Sequence, residues 1–294
     1  MWAVMDIGTN SSRLLVADCE QKTGKIKAVK RALRITRIGA GMNEENRLIS
    51  WEAMTRTVRA LVDFSLLIKQ YPVKRTFLLA TQAVREADNQ EELRDKIKTS
   101  LDWNLRIISG EEEARLSYLG AVQGLVTEGV PVVLDIGGGS TEFILQGEKQ
   151  DFQIISLPLG ALRLWENPLV DEKIQELLQK ELQKISFPPL ISLIGVGGTI
   201  TTAAALKLAL VEYDAEKVQG LKLSITEIKA FYEKLKVMSP KERLQAPGIT
   251  AGREDIIVSG LQILINLMSC CGQKKIIVSE QDLLYGVICA KGLN

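Results

Sequence analysis

Asp6-Ile7-Gly8-Thr9-Asn10-Ser11-Ser12 aligns without gaps to Asp135-Ile136-Gly137-Gly138-Gly139-Ser140-Thr141. Each stretch reads as a strand, a turn of small residues and a second strand. A repeat of this kind dictates architecture, because each copy needs a similar scaffold around it. Apolar periodicity places strands at 2–7, 12–18 and 26–36 around the first copy, and at 131–136, 141–147 and 151–158 around the second. The expected fold class is therefore α/β. Two similar lobes, each a three-stranded meander extended by α/β crossovers, would face a central cleft across which the turns meet.

The rest of the chain fits that plan. The first half continues with a helix at 50–71, a strand at 75–80, a helix at 89–99, a strand at 105–108 and a helix at 110–124. Asn89 with Glu92, and Ser109 with Glu112, read as capping boxes. The second half continues with a helix at 171–184, a strand at 191–196, a helix at 199–210, and helices near 224–238 and 253–271. A strand at 275–278 then leads to a last helix from Ser279.

Composition narrows the chemistry. The 294 residues are 46% hydrophobic and 25% charged, with net charge +1. That describes a two-domain globular chain, not a disordered, collagen-like or disulfide-stapled one. The balance advertises neither nucleic acid nor an anionic membrane as a partner. Histidine is absent. This excludes a Ser-His-Asp triad, a phosphohistidine intermediate and every His-ligated metal. Cys19, Cys270, Cys271 and Cys289 have no framework spacing and read as reduced thiols, so a cytoplasmic protein is expected. The N-terminus lacks the basic region of a signal peptide. The longest uncharged run, 256–273, carries Ser259, Gln262, Asn266 and Ser269 on one helical face. An amphipathic helix of a soluble protein explains it better than a membrane span.

A turn rich in Gly, Ser and Thr after a strand exposes backbone N–H groups, and such nests bind phosphate. Ser11, Ser140 and Thr141 add hydroxyls. Asp6 and Asp135 enter the turns as carboxylates that would repel a phosphate unless a cation such as Mg²⁺ lay between. Glycine hairpins explain either copy alone; the matched pair favours the phosphate reading. A third element, Ile194-Gly195-Val196-Gly197-Gly198-Thr199, fits either a phosphate at a helix N-terminus or a tight packing turn. In Ser109-Gly110-Glu111-Glu112-Glu113 the acids complement the helix dipole, and Glu112 is the capping partner of Ser109. Glu113 is needed for neither purpose and is placed to orient or deprotonate a water. Arg85, just after a strand, suits a bidentate phosphate clamp or a solvated surface. Lys22, Lys25, Lys27, Lys30, Arg31, Arg34 and Arg37 follow one another without an acid. They form a solvated hairpin face or a track for a polyanion.

Four segments in this order resemble the Ppx/GppA family of exopolyphosphatases and guanosine pentaphosphate phosphohydrolases. They are Asp6 to Ser11, Ala80-Thr81-Gln82-Ala83-Val84-Arg85, Ile108 to Leu116, and Asp135 to Glu142. The resemblance runs from residue 2 to about 288 and matches the short form, without a C-terminal HD-like domain. It implies ribonuclease H-like lobes of the actin and sugar-kinase type. The first would be residues 1–124 with 279–294, the second residues 125–278. It implies Glu113 as the catalytic glutamate, with Arg85, Asp135 and Glu142 as catalytic partners. Phosphate would bind at Gly8, Thr9, Asn10 and Ser11, and at Gly137, Gly138, Gly139, Ser140 and Thr141. Gly197, Gly198 and Thr199 are further binding candidates, and Mg²⁺ would sit on Asp6 and Asp135. The substrate implied is inorganic polyphosphate or guanosine pentaphosphate (pppGpp), with no nucleic acid or membrane partner and with homodimers expected. One departure stands out. Where the family often shows Leu-Arg-Glu-Gly, this chain reads Leu283-Leu284-Tyr285-Gly286, which bears on long-chain grip and alarmone selectivity. A small sugar or acyl-phosphate kinase and a non-catalytic polyphosphate or alarmone sensor are the competing readings.

Overall fold

The computed structural model describes residues 1–19, 26–43, 45–147, 151–185 and 187–290. The chain divides into two compact units, Met1–Gly120 with Leu283–Asn294, and Ala121–Asp282.

The first unit opens with β1 (Trp2–Ile7), β2 (Ser11–Cys19) and β3 (Ile26–Ile35). It continues with α1 (Trp51–Ile68), β4 (Arg75–Ala80), α2 (Gln82–Glu86), α3 (Gln90–Leu101), β5 (Arg106–Ile107) and α4 (Gly110–Ala121). The strand order is β3-β2-β1-β4-β5. β1 pairs antiparallel with β2 and parallel with β4. It is apolar along most of its length because helices cover both faces. On one face Met5, Leu14 and Leu78 meet Leu61 and Phe64 of α1. On the other, Val4, Leu15 and Leu79 meet Leu116 of α4 and the last helix. Burying a side chain such as Phe64 or Leu61 contributes about 2 kcal/mol.

The second unit contains β6 (Val130–Ile136), β7 (Thr141–Gln146), β8 (Phe152–Leu157), α5 (Ala161–Glu166), α6 (Asp171–Leu182) and β9 (Ile191–Val196). Then come α7 (Gly198–Lys207), α8 (Ala215–Val218), β10 (Lys222–Ser224), α9 (Ile225–Lys236), α10 (Pro240–Leu244), α11 (Ile257–Cys270) and β11 (Lys275–Val278). α12 (Leu283–Cys289) belongs to the first unit. The sheet order is β10-β11-β9-β6-β7-β8. Without the antiparallel β10, it repeats the order of the first sheet. Both units thus carry the ribonuclease H-like arrangement.

Several sequence expectations need correction. The last helix begins at Leu283, not Ser279, because the Ser279 hydroxyl turns onto Gln281. The helix expected from 110 to 124 ends at Ala121, ahead of Gly124 at φ +72°. Asn89 does not cap α3; its amide holds both the N–H and the carbonyl of Ile49. The Ser109 hydroxyl does accept from Glu112 N, but the Glu112 carboxylate takes Arg106. The polar stripe of α11 is not a solvated face throughout. Asn266 is 3% exposed, and with Gln262 it donates to Asp171 at the start of α6. Among the described residues no helix is long and apolar enough to cross a membrane.

Candidate functional site

The two turns have the same frame. Gly8 N donates to Ser11 O at 3.0 Å, and Gly137 N donates to Ser140 O at 2.9 Å. In each unit the turn carbonyls are held by the segment that follows the third strand. Thr36 N and Arg37 N donate to Asn10 O, and Gly39 N to Thr9 O; Ala161 N donates to Gly137 O, and Leu162 N and Arg163 N to Gly138 O. With the carbonyls committed, the amide N–H groups of Thr9, Asn10, Gly138 and Gly139 donate to no acceptor among the described residues. Asn10 goes further. It is 4% exposed, and neither its Nδ2 nor its Oδ1 has a partner. A buried polar group in that state calls for a polar partner.

The hydroxyls divide in two. Thr141 is fully buried and donates to Leu159 O at 2.5 Å, so it is structural and not the phosphate donor expected. Its equivalent Ser12 is likewise buried, against Thr36 Oγ1 at 3.2 Å. Ser11 and Ser140, one residue earlier, carry hydroxyls with no partner among the described residues.

Beyond the turns the register sets up two rows. In the first unit Asp6, Arg13 and Leu33 lie opposite one another on β1, β2 and β3. In the second, Asp135, Glu142 and Ser156 occupy the corresponding places on β6, β7 and β8. Directly opposed residues share a face and touch. Arg13 Nη2 reaches Asp6 Oδ2 at 2.6 Å, with Asp6 only 3% exposed. A cation therefore already lies against Oδ2 of Asp6. Asp135 faces Glu142, whose Oε1 accepts from Ser156 Oγ at 3.0 Å. Two carboxylates opposed on one face repel unless a cation joins them. Oxygen donors of this kind suit Mg²⁺. Among the described residues no group of three His, Cys, Asp or Glu side chains forms a fuller cage.

Arg85 and Glu113 form the other centre of the first unit. Arg85 lies in the short helix α2, not in an open loop. Its Nη1 donates to Glu113 Oε2 and to Ile108 O, both at 2.9 Å. β4 and β5 carry the chain to this point, and α4 begins just before Glu113. The pair is about a quarter exposed, at 29% and 20%. Each side chain thus fixes the other at the mouth of two parallel strands, where α/β sheets place their ligands.

The third glycine element is explained by packing. A Cβ on Gly195 would meet Ile200 and Ile276 at 2.5 and 2.6 Å, and Gly197 adopts φ +90°. Thr199, 3% exposed, packs on Gly260 of α11. Gly198 lies beneath the Arg253 guanidinium, with no room for a side chain. Gly197 also approaches Asp135 Oδ1, so Arg253 brings positive charge to the edge that holds Asp135. The sequence reading missed Arg13, Ser156 and Arg253.

The departure at Leu284-Tyr285 is structural. Both side chains are buried in the core under α12, and Arg31 donates to the Tyr285 hydroxyl. The cysteines are free thiols, and burial pushes Cys271 up to about 12 and Cys289 up to about 11. Of the basic run, Lys22 and Lys25 lie outside the described residues.

Residues 16–294 match the model of the Ppx/GppA phosphatase family. The chain is 32% identical to Exopolyphosphatase 2 of Mycobacterium tuberculosis, covering 97% of this chain and 96% of that one. It is 28% identical to the guanosine-5'-triphosphate,3'-diphosphate pyrophosphatase of Aliivibrio fischeri, over 98% of this chain and 59% of that protein. It spans 46% to 59% of the longer curated relatives it matches. Among solved structures, the Ppx/GppA family member of Aquifex aeolicus superposes with TM-score 0.80 at 31% identity, covering 99% of this chain and 96% of that one.

Proposed function

This chain belongs to the Ppx/GppA phosphatase family, and from that membership we propose that it is a Mg²⁺-dependent exopolyphosphatase. It would hydrolyse the terminal phosphoanhydride of inorganic polyphosphate and release phosphate. The observation that carries this reading is the pair of matched turns. Their amide donors lack acceptors, and the buried Asn10 amide beside them is unbonded. Uncommitted donors of that kind call for the oxygens of an anion.

In the first unit the turn from Gly8 to Ser11 binds phosphate oxygens. Glu113, held in one orientation by Arg85, aligns the attacking water and draws off its proton. The water oxygen bonds to the terminal phosphorus, and the bond to the bridging oxygen breaks. The shortened chain departs with the electron pair. In the second unit Gly138, Gly139 and Ser140 bind phosphate oxygens. Asp135 and Glu142 would hold the Mg²⁺, with Ser156 hydrogen-bonded to Glu142. When bound, the ion neutralises charge on the phosphate oxygens. We infer cytoplasmic action from the free thiols; homodimerisation rests on family resemblance alone.

The name of the Aliivibrio fischeri relative makes pppGpp the second substrate to test. Phosphate release would be compared on polyphosphate, pppGpp and ATP at matched terminal-phosphate concentration. Release from polyphosphate is expected, lost about 10²–10⁴-fold in Glu113→Gln while polyphosphate binding persists. Selective release from pppGpp would replace the substrate. Near-normal turnover by Glu113→Gln would remove the residue from its role.

A further inference from the structure

We propose that β3 is a binding strand for the tail of a polyphosphate chain, beyond the phosphates held at the first turn. The proposal rests on the exopolyphosphatase reading for its ligand and on β3 for its place. β3 is the outer strand of its sheet. Ten residues of strand run about 30 Å. In Ile26–Ile35 they carry Lys27, Lys30, Arg31 and Arg34, all exposed, and no acid.

Two features separate this run from an ordinary solvated strand. The first is its place. Just past its end, Thr36 N and Arg37 N donate to Asn10 O, at 3.1 and 2.9 Å, so the cationic strand leads away from the phosphate turn itself. The second is that its charge is largely uncompensated. The Lys27 and Lys30 side chains make no ion pair or hydrogen bond among the described residues. Arg31 is committed to a neutral partner, the Tyr285 hydroxyl and ring, and keeps its full charge. Arg34 meets Asp63 in an exposed pair at 3.3 Å, a contact worth little in water. The acid of β2 is Asp18, opposite Lys27 and exposed.

Charge on an edge strand also keeps sheets from pairing. That role would be served by cations anywhere on the edge and does not require the run to start at the turn. The outer edge adds backbone N–H donors at alternate residues, which suit a linear anion without a base to read.

The test is Lys27→Gln/Lys30→Gln, whose side chains hold nothing in the fold. Binding of labelled long-chain polyphosphate and of triphosphate is measured apart from phosphate release, across a salt series. Long-chain affinity should fall about three- to tenfold, with triphosphate affinity and turnover unchanged. The salt slope for the long chain should flatten by about 0.7 per cation removed. Equal loss on both ligands, or no loss on either, overturns the track. So does single-stranded RNA that binds as tightly and loses affinity in step. Length-dependent binding without phosphate release would retain the strand's role and remove the hydrolase reading. Release without length-dependent binding would do the reverse.

Discussion

The two units share a sheet order and a turn, yet at one equivalent position the first carries Arg13 and the second Glu142. In the first row the cation is covalent: a guanidinium sits on Asp6 permanently. In the second row two carboxylates lie opposite each other, with the Arg253 guanidinium at the edge that holds Asp135. The same duplication thus yields one row of opposite charges and one of like charges. The turns diverge in the same sense. Thr9 and Asn10 give the first turn side chains, whereas Gly138 and Gly139 leave the second as bare backbone. One scaffold supplies a turn with side chains, beside Arg85 and Glu113. The other supplies a bare-backbone turn beside two acids.

The comparison breaks most clearly on its charged positions. Glu142→Gln should lower turnover by about 10²- to 10³-fold, the range for losing a group that stabilises transition-state charge. Calorimetry should show weakened Mg²⁺ binding with little change in melting temperature. Arg13→Gln should do the opposite in kind. Removing the cation from a buried carboxylate costs about 3 kcal/mol, so chemical denaturation should reveal a lower midpoint while Mg²⁺ binding persists. Equal Mg²⁺ loss in both variants would mean that the first unit also binds the ion, and the contrast drawn between the rows would fail.

The glycines behind the turns sharpen it. Gly160 backs the second turn so closely that a Cβ would overlap the backbone of Gly138 and Gly139. Gly39 backs the first, where a Cβ would meet the Thr9 methyl at 2.5 Å and Ala83 Cβ at 3.1 Å. A side chain can turn aside; backbone cannot. Gly160→Ala should therefore cost about 3 kcal/mol and most of the activity, Gly39→Ala about 1 kcal/mol. Thermal melts on the two variants would decide, and similar losses would show that the turns are equally rigid.

Much of this was legible in the residues. The repeat gave the two meanders, because Asp-Ile-Gly followed by small residues admits little but a strand and a turn. Glu113 stood out as an acid without a capping task. What stayed hidden is long-range. Arg13 on Asp6 and Ser156 on Glu142 depend on strand register, which local propensity does not specify. The Gly197-Gly198-Thr199 run looks like a phosphate turn until Gly260 and Arg253 arrive against it from over fifty residues away. Asn89 was misread as a cap because Ile49, its partner, lies 40 residues earlier.

The smallest expected effect tests the end of the second row. Ser156 donates to Glu142 Oε1, and its counterpart Leu33 has no polar atom to offer. A hydrogen bond to a charged group contributes about 1.5–3 kcal/mol when sheltered and less when exposed. Ser156 is exposed, so Ser156→Ala should lower kcat by less than about tenfold. A merely structural serine would leave Mg²⁺ affinity untouched; a serine that aims Glu142 would not. Ser156→Thr, which keeps the hydroxyl, should restore Mg²⁺ affinity. Failure of that rescue, with the fold intact, would show that Glu142 is positioned by its own strand. The facing carboxylates would then owe nothing to the third strand of their sheet.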